Sequence, residues 1–268
     1  MPSQDQNHNR RLALVTGGTG AIGKAIASEI AFQPEYRVVL LCRDAHKAGV
    51  VTNELIRLSG NECVSYELVD LSSKDSVQAL AGRLREPVHV LVNNAAVTPR
   101  RRRETPAGIE LQFATNVLGY FWLTRAFNDQ LRAGAPARVV NVASYWAGDL
   151  DLDDLEFRRR PYDNNTAYRQ SKQANRMLTV AFAERFAGHN VTVNACHPGD
   201  VTSRLSKNLG FGGHESPQEG AQTPAWLATS PIGQQETGKY FEQLQMRSCR
   251  FGEDTVAVNA LYEACLAY

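Results

Sequence analysis

The chain predicts a doubly wound α/β fold, a single parallel sheet covered by helices on both faces, and three observations carry that reading. Short apolar runs without alternation recur at residues 12–15, 37–42, 64–69, 88–92, 138–142 and 191–195, as expected of strands buried on both faces. Amphipathic stretches of helical length separate them. The first run ends in a glycine cluster, Gly17, Gly18, Gly20 and Gly23, that leads directly into a helical pattern. That is strand, tight turn, helix.

Taken in order, residues 12–15 form the first strand and 22–32 the first helix, which Pro34 closes. The second strand, RVVLLC at 37–42, is followed by a helix over 45–58 with Asp44 as its N-cap. Helices over 74–85, 106–131 and 166–187 separate the later strands. From 198 to 231 the pattern loosens into Gly, Ser and Thr. Within it Ser216, Pro217 and Glu219 supply an N-cap, a first-turn proline and a capping-box glutamate, so a short helix starts there. Residues 200–230 read as a substrate lid or as a plain surface connection. Crossovers should be right-handed, with ligands outside the carboxyl ends of the strands.

Composition agrees with one domain over 11–268 behind a polar tail at 1–10. In 268 residues, 43% are hydrophobic and 21% charged, enough for a sizeable core and too apolar for whole-chain disorder. Twenty-nine basic against 28 acidic residues give a net charge of +1, which argues against a nucleic-acid partner. No apolar run approaches the roughly 18 residues of a membrane span, and the N-terminus lacks a signal-peptide core. A cytoplasmic protein without a membrane anchor is expected. Five cysteines without CxxC spacing suggest neither disulfides nor zinc, and the six histidines include no HExxH pair, so no metal is expected.

The chemistry begins at TGGTGAIG, residues 16–23, where GxGxxG is embedded as Gly18, Gly20 and Gly23. Such a turn lets backbone approach a pyrophosphate, and the following helix offers unpaired N–H groups and its dipole. At the end of the second strand, where an NAD site carries an acid for the ribose 2′-hydroxyl, Cys42 stands instead and Arg43 follows. Arg43 suits a 2′-phosphate, so NADP(H) is the expected cofactor. Further on come Asn93-Asn94-Ala95-Ala96, Asn116, Ser144, and Tyr168 with Lys172 one helical turn away.

In combination these motifs resemble the short-chain dehydrogenase/reductase family, over nearly the whole chain from Arg10 to Tyr268. The flavour is that of retinol-dehydrogenase-like and protochlorophyllide-reductase-like members, from CRD at 42–44, the 24-residue step from Ser144 to Tyr168, and TGKYF at 237–241. Two positions depart from the family pattern, Ala21 and Ala96 standing where glycine is usual. The resemblance implies a catalytic set of Asn116, Ser144, Tyr168 and Lys172. It implies cofactor contacts from Gly17, Thr19, Gly20, Ile22, Gly23, Arg43, Asp70, Leu71, Asn93, Ala95, Tyr168 and Lys172, and from Pro198, Gly199 and Val201 after the sixth strand. It also implies a small-molecule substrate and leaves a homo-oligomer open.

The expected reaction interconverts a carbonyl and an alcohol, in the reductive direction. Tyr168 would serve as general acid or base, its pKa lowered by Lys172 and the oxidised nicotinamide. Ser144 would hydrogen-bond the substrate oxygen, and Asn116, by resemblance, would hold a relay water near Lys172. Reduction of an enone C=C bond is the alternative within enzymes, and an NADP(H)-sensing protein without turnover is the alternative outside them. Two arginine runs, 100–103 and 158–160, read as solvated surface or as a greeting for an anionic substrate. Tyr145, Trp146 and Phe211 are candidates for lining a pocket or for packing.

Overall fold

The structure, a computed structural model, describes residues 10–268. The polar tail assigned to 1–10 lies outside it except for Arg10. In chain order the elements are β1 (Arg11–Thr16), α1 (Ala21–Ala31), β2 (Tyr36–Cys42), α2 (Ala45–Ser59), β3 (Val64–Leu68), α3 (Lys74–Arg83) and β4 (Val90–Asn93). A π-helical segment, Phe113–Leu118, runs into α4 (Gly119–Ala126), followed by α5 (Asn128–Ala133), β5 (Ala137–Val142), α6 (Asn164–Arg185) and β6 (Val191–His197). The chain ends through α7 (Arg204–Asn208), α8 (Pro217–Thr229), α9 (Ile232–Gln235), β7 (Tyr240–Glu242), β8 (Gln245–Arg247) and α10 (Thr255–Leu266).

The strands make one sheet in the order β3-β2-β1-β4-β5-β6-β7-β8, parallel throughout except for the final β7–β8 pair. All six expected strands are present. Their order reverses between β1 and β4, and ligands of such sheets gather at that switch point. One face buries α1, α2 and α8 through Ile26, Ile30, Leu55 and Leu227. The other buries α3, α4, α6 and α10 through Leu80, Phe121, Phe182 and Leu261. Phe121 meets Tyr262 edge-on at 5.0 Å, which docks the C-terminal helix. Full burial of a phenylalanine of this kind contributes about 2–3 kcal/mol.

Local signals explain most boundaries. Asp44 accepts a hydrogen bond from Lys47 N–H at 3.0 Å and caps α2, and Ser216 and Glu219 complete a capping box at α8.

Three expectations are corrected. The single helix over 106–131 is absent: the Glu110 carboxylate accepts from the N–H groups of Gln112 and Phe113, at 2.9 and 2.7 Å, so helical structure starts only beyond it. The chain then passes through the π segment and breaks at Phe127. Residues 217–229 are not part of a lid, because Ala221, Leu227 and Ala228 on α8 are fully buried in the core beside α1. The sheet also continues through β7 and β8, short strands without a run long enough to stand out. No helix among the described residues is long and apolar enough to cross a membrane.

Candidate active site

The glycine turn lies between the carboxyl end of β1 and α1, and its shape leaves no room for side chains. Gly17 has φ +65°, and a Cβ on it would lie 3.0 Å from Ala95 Cα. A Cβ on Gly23 would lie 2.3 Å from the Gly17 carbonyl oxygen. The turn is held by two residues that the sequence reading left out of the site. The Thr16 hydroxyl accepts from the N–H groups of Asn94 and Ala95 at 2.7 and 3.0 Å, and Asn94 Nδ2 donates to the Thr16 carbonyl at 2.9 Å. Both residues fall inside the quoted motifs, but their polarity alone does not say that they clamp β1 to β4.

At the start of α1, Gly20 provides no side-chain cap and the first turn holds no acid. The free N–H groups and positive dipole end are therefore available to a pyrophosphate. Thr19 and Ile22 are half-buried beside it, and Gly20 is exposed. At the end of β2 the Cys42 thiol is buried and pushed up to about 11 by desolvation, then by the Asp44 charge, so it presents no anion to a ribose. Arg43 is exposed, while Asp44 is engaged in its cap. Asp70, beyond β3, holds its own loop by accepting from Ser72 N–H and Oγ at 3.0 and 2.7 Å, with Leu71 buried next to it. Pro198 and Gly199 follow β6, with Val201 buried behind them. These residues line one edge of the sheet, and the uncapped helix and glycine turn fit a dinucleotide.

Asn93 behaves differently from its neighbours. Its side chain is fully buried and donates to Asn141 Oδ1 at 2.9 Å and Thr124 Oγ1 at 3.2 Å, so that amide braces the sheet interior.

The expected catalytic set converges on the same edge. Ser144 lies two residues past β5, and its Oγ accepts from Trp146 N–H at 3.1 Å. Tyr168 and Lys172 share one face of α6, with Lys172 Nζ 5.6 Å from the Tyr168 ring centroid. Lys172 Nζ donates to the Val142 carbonyl at 2.8 Å, and burial pushes its pKa down to about 7. Tyr168 is pushed up to about 12, first by burial, while the Ser144 hydroxyl beside it pulls the other way and Asp200 and Tyr145 add to the rise. The expected lowering of Tyr168 by Lys172 is thus absent from the protein's own groups. Desolvation keeps the phenol protonated.

Asn116 sits in the π segment, where such irregular turns often mark functional sites. It is fully buried, with Oδ1 accepting from Val97 N–H at 2.8 Å and Nδ2 donating to the Val97 carbonyl at 3.0 Å. Its side chain therefore fixes the irregular chain that follows β4, and Nδ2 also lies 3.4 Å from the Ser171 hydroxyl on α6, next to Lys172.

Beyond Ser144 opens a cavity of 420 Å³ lined by Ser144, Tyr145, Trp146, Asp200, Phe211, Gly212, Gly213 and His214. Tyr145, Trp146 and Phe211 thus line a pocket, and Asp200 joins them without having been singled out in the sequence. The arginine runs have other work. Arg158 pairs with the buried Glu156, Arg160 with the buried Asp154, and Arg102 with Glu104, all within the loop before α6 and its neighbour. Arg100, Arg101 and Arg103 are exposed.

Fold and site together define a nicotinamide-dinucleotide-binding α/β oxidoreductase scaffold. A family model described as short chain dehydrogenase matches residues 11–211. Mouse retinol dehydrogenase 13 is 36% identical over 89% of this chain and 77% of its own length. A solved structure of an uncharacterised protein from Mycobacterium paratuberculosis superposes with a TM-score of 0.81 at 25% identity, covering 96% of this chain and 92% of that one. The Pseudomonas aeruginosa RhlG/NADP active-site complex superposes at 0.69 with 27% identity, covering 87% and 94%. The chain belongs to the short-chain dehydrogenase/reductase family, and within it is similar to the retinol dehydrogenases. Members of the family are oxidoreductases that use nicotinamide cofactors.

Proposed function

We propose that the protein is an NADP(H)-dependent oxidoreductase that interconverts a ketone or aldehyde with an alcohol and works in the reductive direction. The observation that carries this reading is the convergence of Ser144 with Tyr168 and Lys172 at the sheet edge that also holds the glycine turn. Preference for NADP(H) is supported by the neutral Cys42, the exposed Arg43 and the engagement of Asp44 in its cap. The RhlG neighbour, whose structure contains NADP, supports it further.

A reduced nicotinamide dinucleotide, its pyrophosphate held by the glycine turn, would supply the hydride. The protein's own residues handle the oxygen. Ser144 donates a hydrogen bond to the carbonyl oxygen, and Tyr168, kept protonated by burial, delivers the proton as negative charge develops there. The same residue takes the proton back when the alcohol is oxidised, and the reductive direction follows where the cofactor pool is NADPH. Lys172 holds the Val142 backbone with its Nζ 5.6 Å from the centre of the Tyr168 ring. Purified protein should consume NADPH faster than NADH with a panel of aldehydes and ketones. Tyr168→Phe should lower turnover by roughly 10²- to 10⁴-fold while NADPH affinity holds. Retained turnover in that variant would overturn the reading.

A further inference from the structure

We propose that the pocket beyond Ser144 selects carbonyl substrates carrying a protonated amine, seated between the Asp200 carboxylate and the rings of Tyr145, Trp146 and Phe211. This rests on the reductase reading above and adds a substrate class to it. The cavity, 420 Å³, is of a size that takes a small organic molecule. Ser144 and Asp200 both line it, so it offers a partner for a carbonyl and one for a second polar group.

Three aromatic side chains shape the space. Trp146 meets Phe211 edge-on with centroids 6.0 Å apart, and its ring lies 6.1 Å from Tyr168. Tyr145 stands against His197 at 4.7 Å, 52% exposed, with its hydroxyl donating to Asp200 Oδ2 at 3.4 Å. Holding a tyrosine half in solvent contributes little to folding, whereas aromatic faces attract organic cations.

The charge on this wall has the matching sign. Among the described residues Asp200 has no ion-pair partner. Arg169 lies 5.8 Å from the Trp146 ring centroid but is paired with Asp149 at 2.5 Å, and Arg176 faces Glu242 at 3.6 Å. His214 stands at the rim. An anionic substrate would meet the Asp200 carboxylate here, and a neutral one would leave that charge with no counter-ion and only the long Tyr145 hydrogen bond. An ammonium group satisfies it.

The test compares three ketones in the presence of NADPH: 4-(aminomethyl)acetophenone, its neutral isostere 4-ethylacetophenone, and 4-acetylbenzoate. In the wild type kcat/KM should favour the ammonium ketone over the ethyl ketone by about tenfold or more, the scale of one charged contact, with the carboxylate slowest. In Asp200→Asn that ratio should collapse to near unity. Because the readout is a ratio within each enzyme, general loss of activity in the variant cancels. Binding of benzylammonium and of benzyl alcohol, followed by tryptophan fluorescence, gives a second readout that needs no turnover.

If the ethyl ketone or the benzoate is reduced as well as the ammonium ketone, the cation site falls and the reductase reading stands. If nothing is reduced but benzylammonium outbinds benzyl alcohol in an Asp200-dependent way, the cation site stands and the reductase reading falls. An Asp200→Asn variant that changes the affinity ratio of NADP⁺ to NADPH and leaves the ketone ratio intact would assign the carboxylate to the cofactor and overturn the proposal.

Discussion

Asn116 grips Val97 at both ends of one residue, accepting its N–H at 2.8 Å and donating to its carbonyl at 3.0 Å. The amide thus ties the π segment to the chain leaving β4, next to the glycine turn. Asn116→Ala would strand a buried donor and a buried acceptor. The expected cost is about 2 kcal/mol, or roughly 5 °C in Tm for a chain of this size. An unchanged melting curve would show that the clamp carries no weight.

Lys172 provides a signature in stability against pH. Burial depresses it from 10.5 to about 7, so between those values the unfolded chain binds a proton that the folded protein does not. Stability from this group therefore rises as pH increases from 7 towards 10. Urea denaturation at pH 7, 8 and 9 should show wild type gaining on Lys172→Met across the series. A constant difference between the two would contradict the buried, readily deprotonated lysine.

Arg43 should discriminate between cofactors. If it receives the 2′-phosphate, Arg43→Ala raises the Kd for NADPH about tenfold or more, the loss expected for a charge-assisted contact. The Kd for NADH should hardly move. Titration of both cofactors by nucleotide fluorescence decides the matter, and equal weakening of the two would remove Arg43 from phosphate recognition.

The loop before α6 depends on Asp154. Its carboxylate accepts from the backbone N–H groups of Arg158, Arg159 and Arg160 at 2.6, 3.2 and 3.1 Å. Asp154→Ala is expected to destabilise the protein by about 3 kcal/mol, whereas Arg101→Ala, on exposed chain, should fall within about 0.5 kcal/mol of wild type. Chemical denaturation of the pair measures the contrast; similar values for both would mean that the loop is not held by this carboxylate.

Why the sheet was readable and parts of the site were not has a physical explanation. Strands such as Val38–Leu41 announce themselves because burial on both faces demands unbroken apolar residues. Asp44 and Ser216 act over three residues, so their caps can be read locally. Asn93 and Asn94 are adjacent and chemically identical, yet one faces the sheet interior and the other the turn, a choice made by strand alternation and by partners 31 to 78 residues away. Asp200 gains its meaning only when the loop after β6 folds back, with Val201 bridging to Glu215. The π segment likewise reflects tertiary packing around Asn116 and leaves no period in the sequence.

The Asn93–Asn141 bond has a further effect on assembly of the sheet. The middles of β4 and β5 are aliphatic, Val-Leu-Val beside Val-Val, and over that stretch one slipped alignment would bury almost as much hydrocarbon as another. In the native alignment Asn93 stands opposite Asn141, and Asn141 passes the chain of donors on to Thr179 at 2.9 Å. A shift by one residue would turn these amides to the wrong side and leave them dry and unmatched. Two asparagines thus act as an index mark between otherwise interchangeable strands, keeping the ends of β4 and β5, and with them Asn94 and Ser144, level with each other.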